Sequence, residues 1–453
     1  MSRFTPIITS LVFLTLSQTY ASASESEITN ETSQETTISV TSAEEAAPTT
    51  ANTYLTPLSR LTVGGYGEAV FSRNWYSDEY LRYIHPENYK DRSHGRFDLP
   101  HVVIYLGYDF GKGWSMSSEI EFEHGGVETA VEIENEEGGE YETEVERGGE
   151  VALEQFWIQK EFMPQLKFRA GMQVVPVGAT NAHHEPDQFF GVYRPEGEST
   201  IMPCTWHEVA LSVLGRAGNW AYQAMLLPGL DSERFGNYSW IKYGSASPYE
   251  FKIANNFAAA TRIDNYSVPG LRLSVSGYIG NSFRNTLYPT ASSENKNVKG
   301  TVTIGSFDFA YTNYGLVARG YFDYGHLSDA ARISTFNISM SNKTPSKRQE
   351  VASDAICAGI EAGYDLFRLN PSLRNEGQRM YVFGRYDYYD AMYKMEKGSS
   401  LGWTHRHRVA GGINWYPIKQ VVIKGEYSVG ILDAPYNNEP SLSIGIAYAG
   451  FFM

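Results

Sequence analysis

Strict alternation between apolar and polar residues is the feature that most constrains the fold of this chain. It begins near Leu61 and continues to the C-terminus in segments of about ten residues, a length typical of membrane-spanning strands. Successive side chains of a β-strand point to opposite faces, so this alternation predicts strands with one apolar and one polar face. Residues 166–174 show the pattern clearly, with apolar side chains at Leu166, Phe168, Ala170, Met172 and Val174.

The connections between these segments are alternately short and long. The short ones carry Gly, Pro or Asn, as tight turns require, and lie at 111–113, 163–165, 216–219, 268–270 and 417–420. Eight long polar segments lie at 74–95, 125–150, 177–206, 229–250, 280–299, 328–353, 391–404 and 432–440. If each long segment closes one hairpin, the chain has sixteen strands. We therefore predict an all-β fold, a transmembrane antiparallel β-barrel with short periplasmic turns and long extracellular loops.

A soluble β-sandwich also alternates, but its inner face is densely aliphatic. Here the polar face is charged on strand after strand, which is expected of a water-filled lumen. The chain also has 32 Tyr, which suit the aromatic girdles of a membrane barrel. The aromatic residues predicted near strand ends are Tyr108, Phe110, Trp114, Trp157, Phe162, Trp220, Tyr222, Trp415, Tyr416, Tyr448, Phe451 and Phe452.

The N-terminus predicts export. A basic residue precedes an apolar run over 7–16 and an Ala-x-Ala site at 21–23, which together indicate a secretory signal peptide over 1–23. Residues 24–58 are rich in Ser, Thr and Glu and are predicted to be a disordered tether. The barrel then occupies 59–453, and its predicted location is the outer membrane of a Gram-negative bacterium, where lipid and lipopolysaccharide surround it.

The acidic charge of the chain lies outside the predicted barrel wall. Residues 1–57 carry six Glu and one Arg, and residues 125–150 carry ten Glu and one Arg. These two segments therefore hold −14 of the formal net charge of −15. Such a balance argues against a nucleic-acid partner, which requires a basic surface. The 125–150 loop is predicted to be solvated, with cation bridging to lipopolysaccharide as the alternative.

The segment 177–206 concentrates His, Cys and charged residues, and we interpret it as the constriction loop of a porin. Because the polar faces carry both signs of charge, the expected function is passive diffusion of small hydrophilic solutes or ions, with anions such as phosphate among the options. The residues predicted to line the pore or its constriction are Glu119, Glu121, Glu123, Lys167, Arg169, His183, His184, Glu185, Arg194, Glu196, Glu198, Arg272, Arg319 and Arg385. Arg194 is the first choice for an anion-facing group, with the loop glutamates opposite.

Three other readings are compatible with the sequence. One is a metal site, whose competent ligands would be His183, His184, Glu185, Cys204 and His207. An enzyme with its site on 177–207 is another, although no G-x-S-x-G elbow occurs. A third is a plugged structural or adhesion barrel. We predict a channel that is not an enzyme and has no cofactor or metal. Cys204 and Cys357 are too few for a disulfide framework, and their pairing stays open.

The region from about 61 to 234 resembles the phosphate-selective porin O/P family, particularly its branch in Bacteroidetes-type bacteria. The residues that carry the resemblance are 64–68 (GGYGE), 108–114 (YDFGKGW), 119–126 (EIEFEHGG), 168–171 (FRAG), 175–178 (VPVG), 181–186 (NAHHEP), 189–198 (FFGVYRPEGE) and 203–208 (PCTWHE). The second half of the chain matches only as architecture. The resemblance implies a sixteen-stranded homotrimeric porin whose third loop folds into the lumen.

Overall fold

The computed structural model describes residues 57–79, 81–89, 93–124, 129–135, 141–147, 151–247, 251–285, 297–340 and 349–452. The signal peptide and nearly all of the tether lie outside these residues and stay predictions. No helix in the described part of the chain is long and apolar enough to cross a membrane.

Nineteen strands are present among the described residues. They are β1 (Leu61–Asn74), β2 (His94–Asp98), β3 (His101–Gly111), β4 (Trp114–Glu123), β5 (Thr129–Asn135), β6 (Tyr141–Arg147), β7 (Val151–Met163), β8 (Leu166–Val174), β9 (His207–Ala217), β10 (Trp220–Pro228), β11 (Phe257–Val268), β12 (Leu271–Asn281), β13 (Thr301–Asn313), β14 (Leu316–Leu327), β15 (Asp354–Asp365), β16 (Arg379–Lys394), β17 (His405–Ile418), β18 (Val421–Ile431) and β19 (Ser441–Phe451).

The α-helices among the described residues are short, and all of them lie in connections between strands. The α-helices are α1 (Leu81–Ile84), α2 (Ala179–Ala182), α3 (Glu196–Ile201), α4 (Ala330–Met340) and α5 (Pro371–Asn375). Single 3-10 turns occur at Pro57–Arg60, Pro86–Asn88, Ser232–Arg234, Lys242–Ser245 and Leu366–Leu369.

The sheet closes on itself. β19 pairs antiparallel with β1, from Gly64 opposite Phe451 to Asn74 opposite Ser441. Both β2 and β3 pair along β1, so they are two halves of one barrel strand that is interrupted before His101. Pro100 in this interruption has no N–H to donate to a ladder. With β5 and β6 forming a separate hairpin, the barrel has sixteen antiparallel strands, which confirms the predicted fold.

The predicted alternation of short and long connections is also confirmed. One end of the barrel carries the short turns, and the other carries the eight long loops, with the β5–β6 hairpin inside the acidic loop. Two further connections at the short-turn end were not among the turns predicted from the sequence. One is Tyr314–Gly315, with φ of 53° and 80°, a geometry that hairpin turns favour but that Tyr rarely adopts. The other spans 366–378 and contains α5.

The polarity of the wall is inverted relative to a soluble protein. The polar faces of the strands are buried, with Glu119 1% and Asp308 0% exposed. The intervening apolar residues face outward, and Leu211 is 62% exposed. Aromatic residues near the short turns are exposed as predicted, including Phe110, Trp114, Phe162, Trp220 and Trp415. Trp157 differs, because it is buried and lies 3.9 Å beneath the guanidinium of Arg169.

Candidate functional site

The connection between β8 and β9, residues 175–206, folds into the barrel, and we call it the inner loop. Its two ends are held together where it enters and leaves the wall. The Val175 N–H donates to the Trp206 carbonyl at 2.8 Å. The side chain of Asn181 donates to the Val175 carbonyl at 2.5 Å and accepts from the Trp206 N–H. Asn181 therefore fixes the base of the loop.

Replacing Asn181 by Ala is expected to lower the free energy of unfolding by about 1–3 kcal/mol, because it leaves the buried Trp206 N–H without its acceptor. Denaturant unfolding of the refolded barrel measures this. Asn265→Ala removes the side-chain acceptor of the exposed Ser267 N–H near the end of β11 and is the matched control, with an expected change below about 0.5 kcal/mol. Equal effects of the two variants would contradict the role of Asn181.

The tip of the inner loop, residues 189–193, is held against the opposite wall. Lys424 on β18 donates to the carbonyls of Phe189 at 3.0 Å and Gly191 at 2.7 Å. Asn414 on β17 donates to the Phe190 carbonyl at 2.9 Å. Further bonds to the tip backbone run from the Phe190 and Val192 N–H groups to Glu361 and Glu426, and from Arg385 to the Tyr193 carbonyl. Since β17 is eight strands from β9, the loop crosses the full width of the barrel.

The two glutamates of α3, which were predicted to lie opposite Arg194, are bound to other groups within the barrel. Glu196 lies 2.7 Å from the guanidinium of Arg408 and accepts a hydrogen bond from Tyr389 at 2.5 Å. Burial alone would raise the pKa of Glu196, but Arg408 and Tyr389 hold it below its usual value. Glu198 accepts from the N–H groups of Ala179 and Thr180 at the start of α2, and burial raises its pKa.

A cavity remains between the inner loop and strands β12 to β16. Four predicted residues line it: Arg272, Arg319 and Arg385 from the wall, and His183 from the loop side. Each arginine is paired with a carboxylate: the partners are Asp308 at 2.8 Å, Glu361 at 2.7 Å and Asp387 at 3.1 Å respectively. Arg319, Glu361 and Arg385 are direct cross-strand neighbours, so positive and negative groups alternate at one level of the wall.

The wall formed by β3, β4 and β7 carries carboxylates instead. Glu119, Glu121 and Glu154 are buried there, and Glu121 accepts from His101 at 2.6 Å. His184 of the inner loop faces this wall, with its Nε2 3.9 Å from Glu119. The adjacent histidines therefore point to different walls. The alternative ligand set of His183, His184, Glu185, Cys204 and His207 is not brought together among the described residues.

The remaining predicted residues lie apart from the cavity. Lys167 pairs with Glu161 at 2.9 Å near a short turn, and Arg169 is bound by Gln159. Glu123 is half-buried at the end of β4. The guanidinium of Arg194 donates to the His184 carbonyl at 3.1 Å and to Thr205 at 3.3 Å, so it binds within the loop and not along the cavity. Glu185 is half-buried and accepts from Tyr105 at 3.1 Å.

Several residues of the site were not among those predicted to line the pore or its constriction. Lys424, Asn414 and Glu426 hold the loop tip, and Asp387 and Glu154 complete the two walls. Their only signal in the sequence is their place on the polar face of an alternating strand, which they share with many other residues. Cys204 and Cys357 do not form a disulfide.

No protein-family model matches the chain. A protein of Aquifex aeolicus (strain VF5), described only as uncharacterized, is 27% identical over 381 residues, which is 81% of this chain and 75% of that protein. The outer membrane channel DcaP of Acinetobacter baumannii is similar in structure, with a TM-score of 0.51 at 8% identity over 86% of this chain and 97% of the channel. An anion-selective porin from Comamonas acidovorans has a TM-score of 0.47 at 10% identity, over 86% and 99%. The likeness to DcaP concerns the fold alone, and the resemblance to the phosphate-selective porins stays a prediction.

Proposed function

We propose that this protein is an outer-membrane porin that lets small hydrophilic solutes and ions diffuse across the outer membrane of a Gram-negative bacterium. The observation that carries the proposal is that charged residues of both signs, among them Arg319, Glu361 and Arg385, lie beside the inner loop on the inner face of a closed barrel. A closed barrel with buried polar and exposed apolar faces is the form in which strands can cross lipid with every backbone N–H and C=O group hydrogen-bonded. The inner loop then narrows the lumen to a charged passage.

The same arrangement supports weak charge selection. Every arginine that lines the cavity has a carboxylate partner, whereas an oxyanion pathway needs arginines free to bind the anion. We therefore propose general diffusion, with phosphate as one of several permeant ions and not a preferred one. A homotrimer, implied by the resemblance, and contact with lipopolysaccharide belong to the same proposal.

Planar-bilayer recording of the purified, refolded protein tests this function. We expect stepwise open levels, a reversal potential close to zero in a salt gradient, and no block by inorganic phosphate. Block by phosphate would instead support a phosphate-selective channel. Folded barrels that never conduct would overturn the proposal and favour a plugged structural barrel, since the inner loop crosses the full width of the lumen.

Charge selection is expected to depend on pH through Glu185. Burial, with Asp187 and Glu119 nearby, raises the pKa of Glu185 from 4.5 to about 8. Its stabilising contribution is therefore complete below pH 4.5 and is lost as the pH rises through 8. As the pH rises through this pKa, Glu185 loses its proton and becomes negatively charged. Cation selectivity should therefore rise between about pH 7 and 9. Glu185→Gln should abolish this rise in reversal-potential measurements, and a rise that persists would contradict it.

A further inference from the structure

Three buried side chains on the carboxylate wall converge without satisfying one another. Glu119 on β4, Glu154 on β7 and His184 of the inner loop each place one ligand atom within 4.8 Å of the other two. These three residues are 1%, 2% and 7% exposed, respectively. Glu119 Oε1, Glu154 Oε2 and His184 Nε2 have no hydrogen-bond partner among the residues that the structure describes.

The surrounding bonds orient these three groups toward one point. His184 Nδ1 donates to the Asn181 carbonyl at 3.1 Å, so in the neutral ring the lone pair lies on Nε2. Nε2 in turn faces Glu119 Oε1 at 3.9 Å. The second oxygen of Glu119 accepts a hydrogen bond from Gln155, which fixes the carboxylate. When the ring is neutral and both carboxylates are ionised, these three atoms are all acceptors, and none has a donor partner among the described residues.

We propose that Glu119, Glu154 and His184 bind a divalent transition-metal cation of the zinc type inside the barrel. Two carboxylates and one imidazole are ligands that Zn²⁺ accepts, and they leave a fourth position for water. A 2+ ion would neutralise two buried carboxylates that lie close enough to repel each other. The bond from His184 Nδ1 to a backbone carbonyl is the supporting contact that metal-bound histidines commonly make.

A neighbouring cluster provides the contrast. His101, Glu121 and Glu123 also lie within 4.8 Å of one another. There, however, His101 Nδ1 is 2.6 Å from Glu121 Oε1, so the histidine and the carboxylate already satisfy each other. The difference between the clusters gives a matched pair of histidine variants that both lie on the inner side of the barrel.

Zinc titration of the metal-free, tag-free refolded protein by calorimetry tests the site. We expect one Zn²⁺ per chain, and binding at least about tenfold weaker in Glu154→Gln and His184→Asn, because each removes a ligand. His101→Asn should bind Zn²⁺ as the wild type does. The mobility of unheated protein in detergent gels establishes that each variant has a folded barrel. No saturable binding, or wild-type affinity in Glu154→Gln, would overturn the proposal. Protonation of the cluster would then be what reduces the repulsion between its carboxylates.

X-ray absorption at the zinc edge gives a second measurement that needs no variant. The wild-type protein should show nitrogen and oxygen ligands and no sulfur. A sulfur ligand would place the ion at Cys204 or Cys357 and overturn the assignment. Both experiments measure binding and not conductance, so their failure is distinguishable from failure of the proposed channel function.

Discussion

Replacing Lys424 by Met is expected to detach the tip of the inner loop from the barrel wall. The Lys424 ammonium bonds two carbonyls of the tip and lies 4.1 Å from the centre of the Phe189 ring. Methionine fills a similar volume but leaves the Phe189 and Gly191 carbonyls without this donor. At roughly 1.5–3 kcal/mol for a charged hydrogen bond, the population of the detached tip should rise on the order of 100-fold.

Two measurements report this release. Single-channel conductance should increase and become noisier, because the tip no longer stays against β17 and β18. Hydrogen exchange of the Phe190 and Val192 amides, which donate to Glu361 and Glu426, should accelerate. The control is Lys419→Met, which removes an exposed lysine from the turn between β17 and β18. Unchanged conductance and exchange in the Lys424 variant would show that the remaining bonds suffice to hold the tip.

The architecture of this barrel could be predicted because each strand has one face toward lipid and one toward water. Its residues therefore alternate between apolar and polar along the sequence. Each long loop was therefore visible as a break in the alternation. The turn at Tyr314–Gly315 was not visible, because a tyrosine at positive φ carries no turn signal. The turn at 366–378 was missed since it contains helical residues. In both cases the flanking strands still alternate, so the strand count was unaffected.

The site could be predicted only in part, for a related reason. Alternation identifies the inward face of a strand. It predicted that Arg272, Arg319 and Arg385 face the lumen, and these three residues line the same cavity. It contains no information about a folded loop. Arg194 was expected to face anions, but it binds backbone and hydroxyl oxygens of its own loop. The contacts of Lys424 with the tip join residues more than 230 positions apart, which no local pattern encodes.

The alternating charges at the cavity should control ion selectivity in opposite directions. Arg319 and Glu361 are direct cross-strand neighbours with their charged groups 2.7 Å apart. The Arg319 side chain is 22% exposed, so a passing ion can interact electrostatically with its guanidinium. Arg319→Gln leaves Glu361 unneutralised and should favour cations. Glu361→Gln leaves Arg319 unneutralised and should favour anions, although it also leaves a single neutral oxygen to accept from the Phe190 N–H and so weakens that bond.

Removing one charge at about 4 Å from a permeating ion changes its energy by about 1 kcal/mol in water, so each permeability ratio should change roughly fivefold. Reversal potentials in a salt gradient measure both changes. The double variant Arg319→Gln, Glu361→Gln removes one charge of each sign and should return close to the wild-type ratio. That return separates the effect of charge from a displaced loop, because a loop released by weakening of the Phe190 bond would keep the double variant altered. If neither single variant moves the reversal potential, ions do not pass along β14 and β15, and the passage must lie against another part of the wall.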